Sequence, residues 1–166
     1  MKGFIINNSS NKFSQVFAPL LQELNKFHWL IDATGGPFNI TAESNFRELD
    51  SELMQCHIEV TEISDTSSTL WRPGVFRFAE KLVVDDFTTL IGIPGNEDIA
   101  VKVARQISTI RMYSQKFFEF LQHSPCTCLI YTNGRWEAYC ADETLSTAFS
   151  NSFIVSSIDS DHLSGS

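Results

Sequence analysis

The sequence predicts an α+β domain with a mostly antiparallel sheet and helices packed on one face. Three observations predict it. Asn133-Gly134 stands between two apolar runs, the strongest short signal for a two-residue hairpin. Alternating, strand-like segments outnumber strand–helix–strand units, which favours antiparallel pairing. Capped amphipathic segments supply the helices that cover such a sheet. The chain has 166 residues, which suits a single α+β domain over 1–155, and a chain of this size buries about two-thirds of its unfolded surface.

The elements follow in order. Residues 2–7 read as a first strand. Ser14 to Lys26 reads as an amphipathic helix, with Val16, Phe17, Leu20, Leu21, Leu24 and Phe27 on one face and Pro19 marking a late start or a bend. Trp29 to Ile31 makes a second strand, closed by Gly35-Gly36-Pro37. Gln55 to Ile63 alternates as a strand, and Ser64 to Ser68 is a polar loop. Val75 to Val84 reads as a strand, with Phe76, Phe78 and Leu82 opposite Arg77 and Lys81. Asp85 and Asp86 cap a short helical turn over Phe87 to Ile91, ended by Gly92-Ile93-Pro94-Gly95. Asn96 caps a helix to about Ile107, with Glu97 and Asp98 at the positive end of its dipole. Another helix runs from about Ser114 to just before Pro125. The hairpin 126–140 comes next, then a last helix from Asp142 to Asn151. The tail 156–166 is Ser-rich and acidic and is expected to be flexible.

Composition excludes several functions. The chain carries 12 basic and 20 acidic residues, a net charge of −8. Nucleic-acid binding needs a dense basic face, so that partner class is not expected. No run of apolar residues is long enough for a membrane span or a signal peptide, so the expected location is cytoplasmic. The Gly-rich and Ser-centred signatures of nucleotide binding and of hydrolase elbows do not occur. No cofactor is expected.

Cys56, Cys126, Cys128 and Cys140 are expected as thiols in a reducing compartment. The Asn133-Gly134 register pairs Thr132 with Arg135, Ile130 with Glu137, Cys128 with Tyr139 and Thr127 with Cys140. Cys126 and Cys128 then share one face and Cys140 takes the other. A zinc site completed by His57 or His123 needs them to converge, so no metal is expected. His57-Ile58-Glu59 with Pro125-Cys126-Thr127-Cys128 echoes the zinc-deaminase pattern. The second cysteine follows after one residue instead of two, and both pieces fall on strand-like runs. His28, beside Phe27 and Trp29, reads as an edge-of-core residue. Asp85-Asp86 has the composition of a cation site but is explained by capping.

The segment 43–65 is the most acidic. Glu43, Glu48, Asp50, Glu52, Glu59, Glu62 and Asp65 face one base, Arg47, and so form the candidate docking surface for a basic partner, because acidic faces steer such partners. Trp71 and Arg72, of residue types enriched at interface hot spots, are a second candidate contact. Trp71 folding back over the sheet edge is the competing reading.

Phe117-Phe118-Glu119-Phe120-Leu121, Cys128-Leu129-Ile130-Tyr131, Trp136-Glu137-Ala138-Tyr139-Cys140 and Lys26-Phe27-His28-Trp29-Leu30-Ile31 together resemble small bacterial α+β proteins, among them the immunity proteins of polymorphic toxin systems. The resemblance covers the last third of the chain plus one strand and transfers no site residue. It implies a non-enzymatic binding protein, an immunity or inhibitor protein that neutralises a basic toxin. The alternatives are a small enzyme with a polar site near His57 and Glu59, and a phage counter-defence protein acting as an acidic mimic. Another protein is the expected partner, and a homodimer is compatible with the sequence.

Overall fold

The computed structural model describes residues 1–33, 38, 46–61, 63, 68–153 and 155–158. Asn133 and Gly134 both adopt positive φ, 53° and 71°, the backbone that a type I′ hairpin turn requires. They join β6 (Thr127–Thr132) to β7 (Arg135–Cys140) in the register expected, from Thr132↔Arg135 to Thr127↔Cys140. From this hairpin the sheet extends both ways. β5 (Thr88–Ile93), β2 (His28–Asp32), β4 (Ser68–Trp71) and β3 (His57–Ile58) lie on one side. On the other lie β1 (Lys2–Ile6) and β8 (Val155–Ile158). The eight strands run β3-β4-β2-β5-β6-β7-β1-β8, every neighbouring pair antiparallel. The α+β class and the antiparallel sheet are those the sequence predicts.

The helices, expected on one face, cover both. All six residues of β5 are buried, as are four of the five in β2 and four of the six in β6. Strands apolar on both sides must be covered on both sides. One face carries an aromatic cluster that includes Phe13, Phe17, Trp29, Phe76, Trp136 and Phe149. It is contributed in part by α1 (Phe13–Phe17), α2 (Leu21–Leu24) and α6 (Glu143–Ser152). A 3₁₀ turn at Ala18–Leu20 joins α1 to α2, because Pro19 has no N–H to continue the helix. The other face packs Leu30, Ile91 and Cys128 beneath Ala100, Ala104 and Ile107 of α4 (Glu97–Ser108) and Phe117 and Leu121 of α5 (Gln115–His123). Asn96, Ser114 and Asp142 cap α4, α5 and α6 by accepting from the N–H three residues on, as N-caps do.

Four expectations are corrected. Val75–Lys81 is a pair of short 3₁₀ turns joined by a kink at Phe78, not strand. Its buried residues Val75, Phe76, Phe78 and Ala79 satisfy a three-residue repeat as well as a partial alternation, and Gly74, at φ 97°, turns the chain into it. Residues 88–93 are β5, a central strand, and not a helical turn. The strand expected over 55–63 shrinks to β3, because the chain before it forms α3 (Phe46–Gln55). Ser156 to Ile158, expected in the flexible tail, belong to β8, which pairs with the otherwise open edge of β1. The turn at 35–37, the loop at 64–67 and residues 159–166 lie outside the described residues.

The centre of the sheet is set by one close approach. Trp29 pairs with Gly92 across β2 and β5. A Cβ on Gly92 would stand 2.9 Å from Cη2 and 3.0 Å from Cζ2 of the Trp29 indole. The ring lies where a side chain would be. It is fully buried, packs on Phe76 at 5.0 Å between centroids, and donates from Nε1 to the Leu24 carbonyl at 2.7 Å. Gly92→Ala therefore forces the indole out of its place and is expected to cost about 1–3 kcal/mol, the range for overpacked cores. Urea denaturation measures it, and an unchanged midpoint would show that the indole relocates freely.

Candidate functional site

The acidic segment is built on α3 and β3 at one edge of the sheet. Leu53 and Cys56 are buried in the aromatic face and anchor it. Glu52, Met54 and Glu59 are exposed, Met54 to 55%. Helical spacing sets positions 48 and 52 on one face of α3. Glu48 and Asp50 are residues of α3, whereas Glu43, Glu62 and Asp65 lie outside the described residues.

Arg72 holds this edge in place. Its Nη1 donates to the carbonyls of Gln55 at 3.0 Å and His57 at 2.8 Å, and its backbone N–H donates to the carbonyl of Cys56 at 2.6 Å. Nε and Nη2 donate to the two carboxylate oxygens of Glu97, each at 3.0 Å. Arg72 thus takes three consecutive carbonyls where α3 ends and ties them to the first residue of α4. Both ends suit the helix dipoles: a cation at the C-terminus of α3, a carboxylate at the N-terminus of α4. Arg72 thus directs most of its donors within the chain while its side chain stays 40% exposed. The expectation that Trp71 is an exposed contact is corrected. It is 5% exposed, stacked at its ring edges on Phe38 and His57 at 5.0 and 5.1 Å, and its Nε1 donates to Thr69 Oγ1 at 2.8 Å. The competing reading, that it folds back over the sheet, is the observed one.

His28 lies behind the clamp. It is 5% exposed, it forms a hydrogen bond with the backbone of Gly95, and its Nδ1 has no partner among the described residues. Burial lowers its pKa; the Glu97 carboxylate partly opposes this and the Arg72 guanidinium adds to it.

The remaining candidates do not converge. His57 is on β3 and Cys126 and Cys128 are at β6, four strand spacings away, about 19 Å at the usual separation. Cys126 and Cys128 pack on the face of α4 and α5, Cys140 on the aromatic face. Among the described residues no group of three or more His, Cys, Asp and Glu could hold a metal ion. Burial pushes the Cys126 thiol up, the Cys128 thiol well up, and the Cys140 thiol to about 12, which makes them poor nucleophiles. Asp86 does not cap a helix; it accepts from the Asn133 N–H at 2.7 Å and pins the hairpin tip. No helix among the described residues is long and apolar enough to cross a membrane.

Sequence reasoning missed two features. Glu97 reads as a dipole-compatible helix start, and nothing in its spacing signals a partner 25 residues earlier. Phe87 and Tyr113 adopt φ of 65° and 60°, a left-handed backbone that aromatic residues rarely take and that no sequence pattern announces. Compared with protein-family models, curated proteins and solved structures, the chain matches none of them.

Two outcomes follow from the clamp. Arg72→Lys keeps the charge but loses the planar fork. The ion pair is 40% and 46% exposed on its two sides and contributes little, so most of the loss comes from the carbonyl bonds, about 1–2 kcal/mol in all. Hydrogen exchange is expected to accelerate at residues 55–58 while the hairpin stays protected; equal protection would show that burial of Leu53 and Cys56 is enough to hold α3. His28 gives a pH dependence. Its folded pKa lies below the ordinary 6.5, so the unfolded chain takes up the proton first and stability falls as pH drops through about 6.5. Melting temperatures at about pH 7.5 and 5.5 are expected to differ more for the wild type than for His28→Gln, which stays neutral. Parallel losses would assign the effect to other groups.

Proposed function

We propose that this chain is a cytoplasmic, non-enzymatic protein-binding protein of the immunity or inhibitor type, and that it docks a basic toxin on the edge formed by α3 and β3. The observation that carries the reading is the fastening of the acidic segment. A surface held at three consecutive carbonyls and tied to a second helix is preorganised, and preorganisation lowers the entropy lost on binding.

Charge supports the same reading. Residues 43–65 hold seven acids and one base, a net of 1 − 7 = −6. The rest of the chain then holds 20 − 7 = 13 acids and 12 − 1 = 11 bases, a net of −2. The negative charge is therefore concentrated in one segment of the sequence, whose described part, α3 and β3, lies at one sheet edge; a concentration of one sign steers a partner of opposite sign. Exposed Met54 supplies an apolar contact within it. A basic substrate groove, such as that of a nuclease, is complementary to such an edge, with carboxylates in place of phosphates.

The test is kinetic. The partner is recovered by co-purification from the source cells, and its association is followed at low and physiological salt. The triple reversal Glu48→Lys, Asp50→Lys and Glu52→Lys is expected to slow association about tenfold or more and to change dissociation little, with folding intact. Unchanged rates for the reversal would remove this edge as the docking surface.

A further inference from the structure

The charge of this chain is segregated. α4 opens on two acids, Glu97 and Asp98, and Glu97 is engaged by Arg72. From there through α5, residues 99–126 carry four bases, Lys102, Arg105, Arg111 and Lys116, and one acid, Glu119, a net of 4 − 1 = +3. The rest of the chain then holds 12 − 4 = 8 bases and 20 − 1 = 19 acids, a net of −11. The layer of α4 and α5 is thus the basic side of an acidic molecule. α3, in the most acidic segment, is anchored by Leu53 in the aromatic cluster, on the opposite side of the sheet from α4 and α5.

An open groove of about 660 Å³ lies between α4 and α5. Val103 and Ile110 line it from the α4 side, Phe120 and Pro125 from the α5 side. Ile99, one turn before Val103 and on the same helix face, is 47% exposed and lengthens the apolar stripe. On α5, helical spacing sets Lys116, Phe120 and His123 on one face, so the ring stands between an exposed ammonium and an exposed imidazole. Lys116 has no partner among the described residues. Glu119 is the one carboxylate among the described lining residues, and its Oε1 accepts from Gln115 Nε2 at 2.9 Å, along its own helix. The described residues expose four large apolar side chains, Met1, Met54, Phe87 and Ile99. One of them extends this basic groove, and another, Met54, stands on acidic α3 two residues from exposed Glu52.

We propose that the protein self-associates, α3 of one copy docking in the α4–α5 groove of the next. A helix laid in an apolar groove is a recurring mode of recognition. Met54 seats against the Phe120 ring, a sulfur–aromatic contact, and Glu52 meets Lys116. The two surfaces differ, so the contact is heterologous and builds either a closed ring or an open chain. The net charge of −8 repels copies at a distance, but at physiological salt that repulsion is screened beyond about 8 Å and the charges at the contact decide. The inference does not rest on the toxin reading; the two meet only in that self-association covers the same edge.

The experiment is analytical ultracentrifugation of the full chain at physiological salt, from about 10 μM to about 1 mM, the affinity range of a small contact. The weight-average mass of the wild type is expected to rise across it. Lys116→Glu and Glu52→Lys are each expected to weaken association about tenfold or more. Both side chains are exposed, so circular dichroism is expected to stay that of the wild type. Net charge alone would move the two variants in opposite directions, since one makes the chain more negative and the other less. Mixed in equal amounts, or combined in one chain, the two substitutions are expected to restore association, because the reversed charges again meet opposite signs. Met54→Gln, which leaves the charge unchanged, is expected to weaken it as well. A wild type still monomeric at about 1 mM, which leaves the groove to an acidic helix of another protein, would overturn the proposal. So would a Glu52→Lys protein that associates more strongly than the wild type, or a mixture that associates no better than its components.

Discussion

The Trp29 indole lying across the bare backbone of Gly92 is the contact on which the rest of the structure hangs. A glycine at the centre of a strand is weak by itself, having no side chain to pack. Here the neighbouring indole supplies what it lacks, and one ring binds β2 to β5, reaches back to Leu24 and supports Phe76 of the 3₁₀ segment. β2 is thereby fixed in register, and a register shift of one residue would send every side chain to the opposite face. Fixed as it is, β2 aims Trp29 and Ile31 into the aromatic cluster and His28, Leu30 and Asp32 to the other side. The same strand thus serves the core and the clamp: His28 stands behind Arg72 and Glu97.

The acidic edge and the Phe87–Tyr113 corner are organised by different physics. At the edge, one guanidinium satisfies the end of a helix and carries its position across to another helix, so that exposed carboxylates are presented on a rigid support. At the Phe87–Tyr113 corner, hydrogen bonds and ring packing hold two residues in left-handed backbone against its cost. Two aromatic residues in the left-handed region fasten each other through a tyrosine hydroxyl whose pKa is pushed up to about 12, chiefly by burial. It therefore stays protonated and remains a donor to the Phe87 carbonyl.

How much of this was legible depends on how local each cause is. The hairpin was read to the residue because Asn133-Gly134 dictates its own backbone and the register follows. α4, α5 and α6 were read because Asn96, Ser114 and Asp142 are chemical start signals. β5 was missed for the opposite reason. Thr88 to Ile93 is buried on both faces, so it shows no alternation, and Gly92-Ile93-Pro94-Gly95 imitates the end of a helix; only the indole across the sheet makes Gly92 a strand residue. The 75–81 segment was misread because its pattern fits a period of two and of three equally well. Of the candidate site, the acidic composition was visible in the sequence. The helical state of residues 46–55 and the inward bonds of Arg72 were not, since they rest on partners distant in sequence, whereas Trp71 folding back over the sheet edge was one of the two readings its position allowed.

Strand order also has a consequence for synthesis. β1 comes first in the chain among the eight strands of this sheet, yet its two neighbours, β7 and β8, come last. Phe4 and Ile6, buried in the finished sheet, have no strand to pair with while the nascent chain grows. Pairings of such long sequence separation form slowly, and unpaired apolar strands are prone to wrong contacts in the meantime. The central strands can assemble as they emerge, but the β7-β1-β8 side closes only after translation of the last strand.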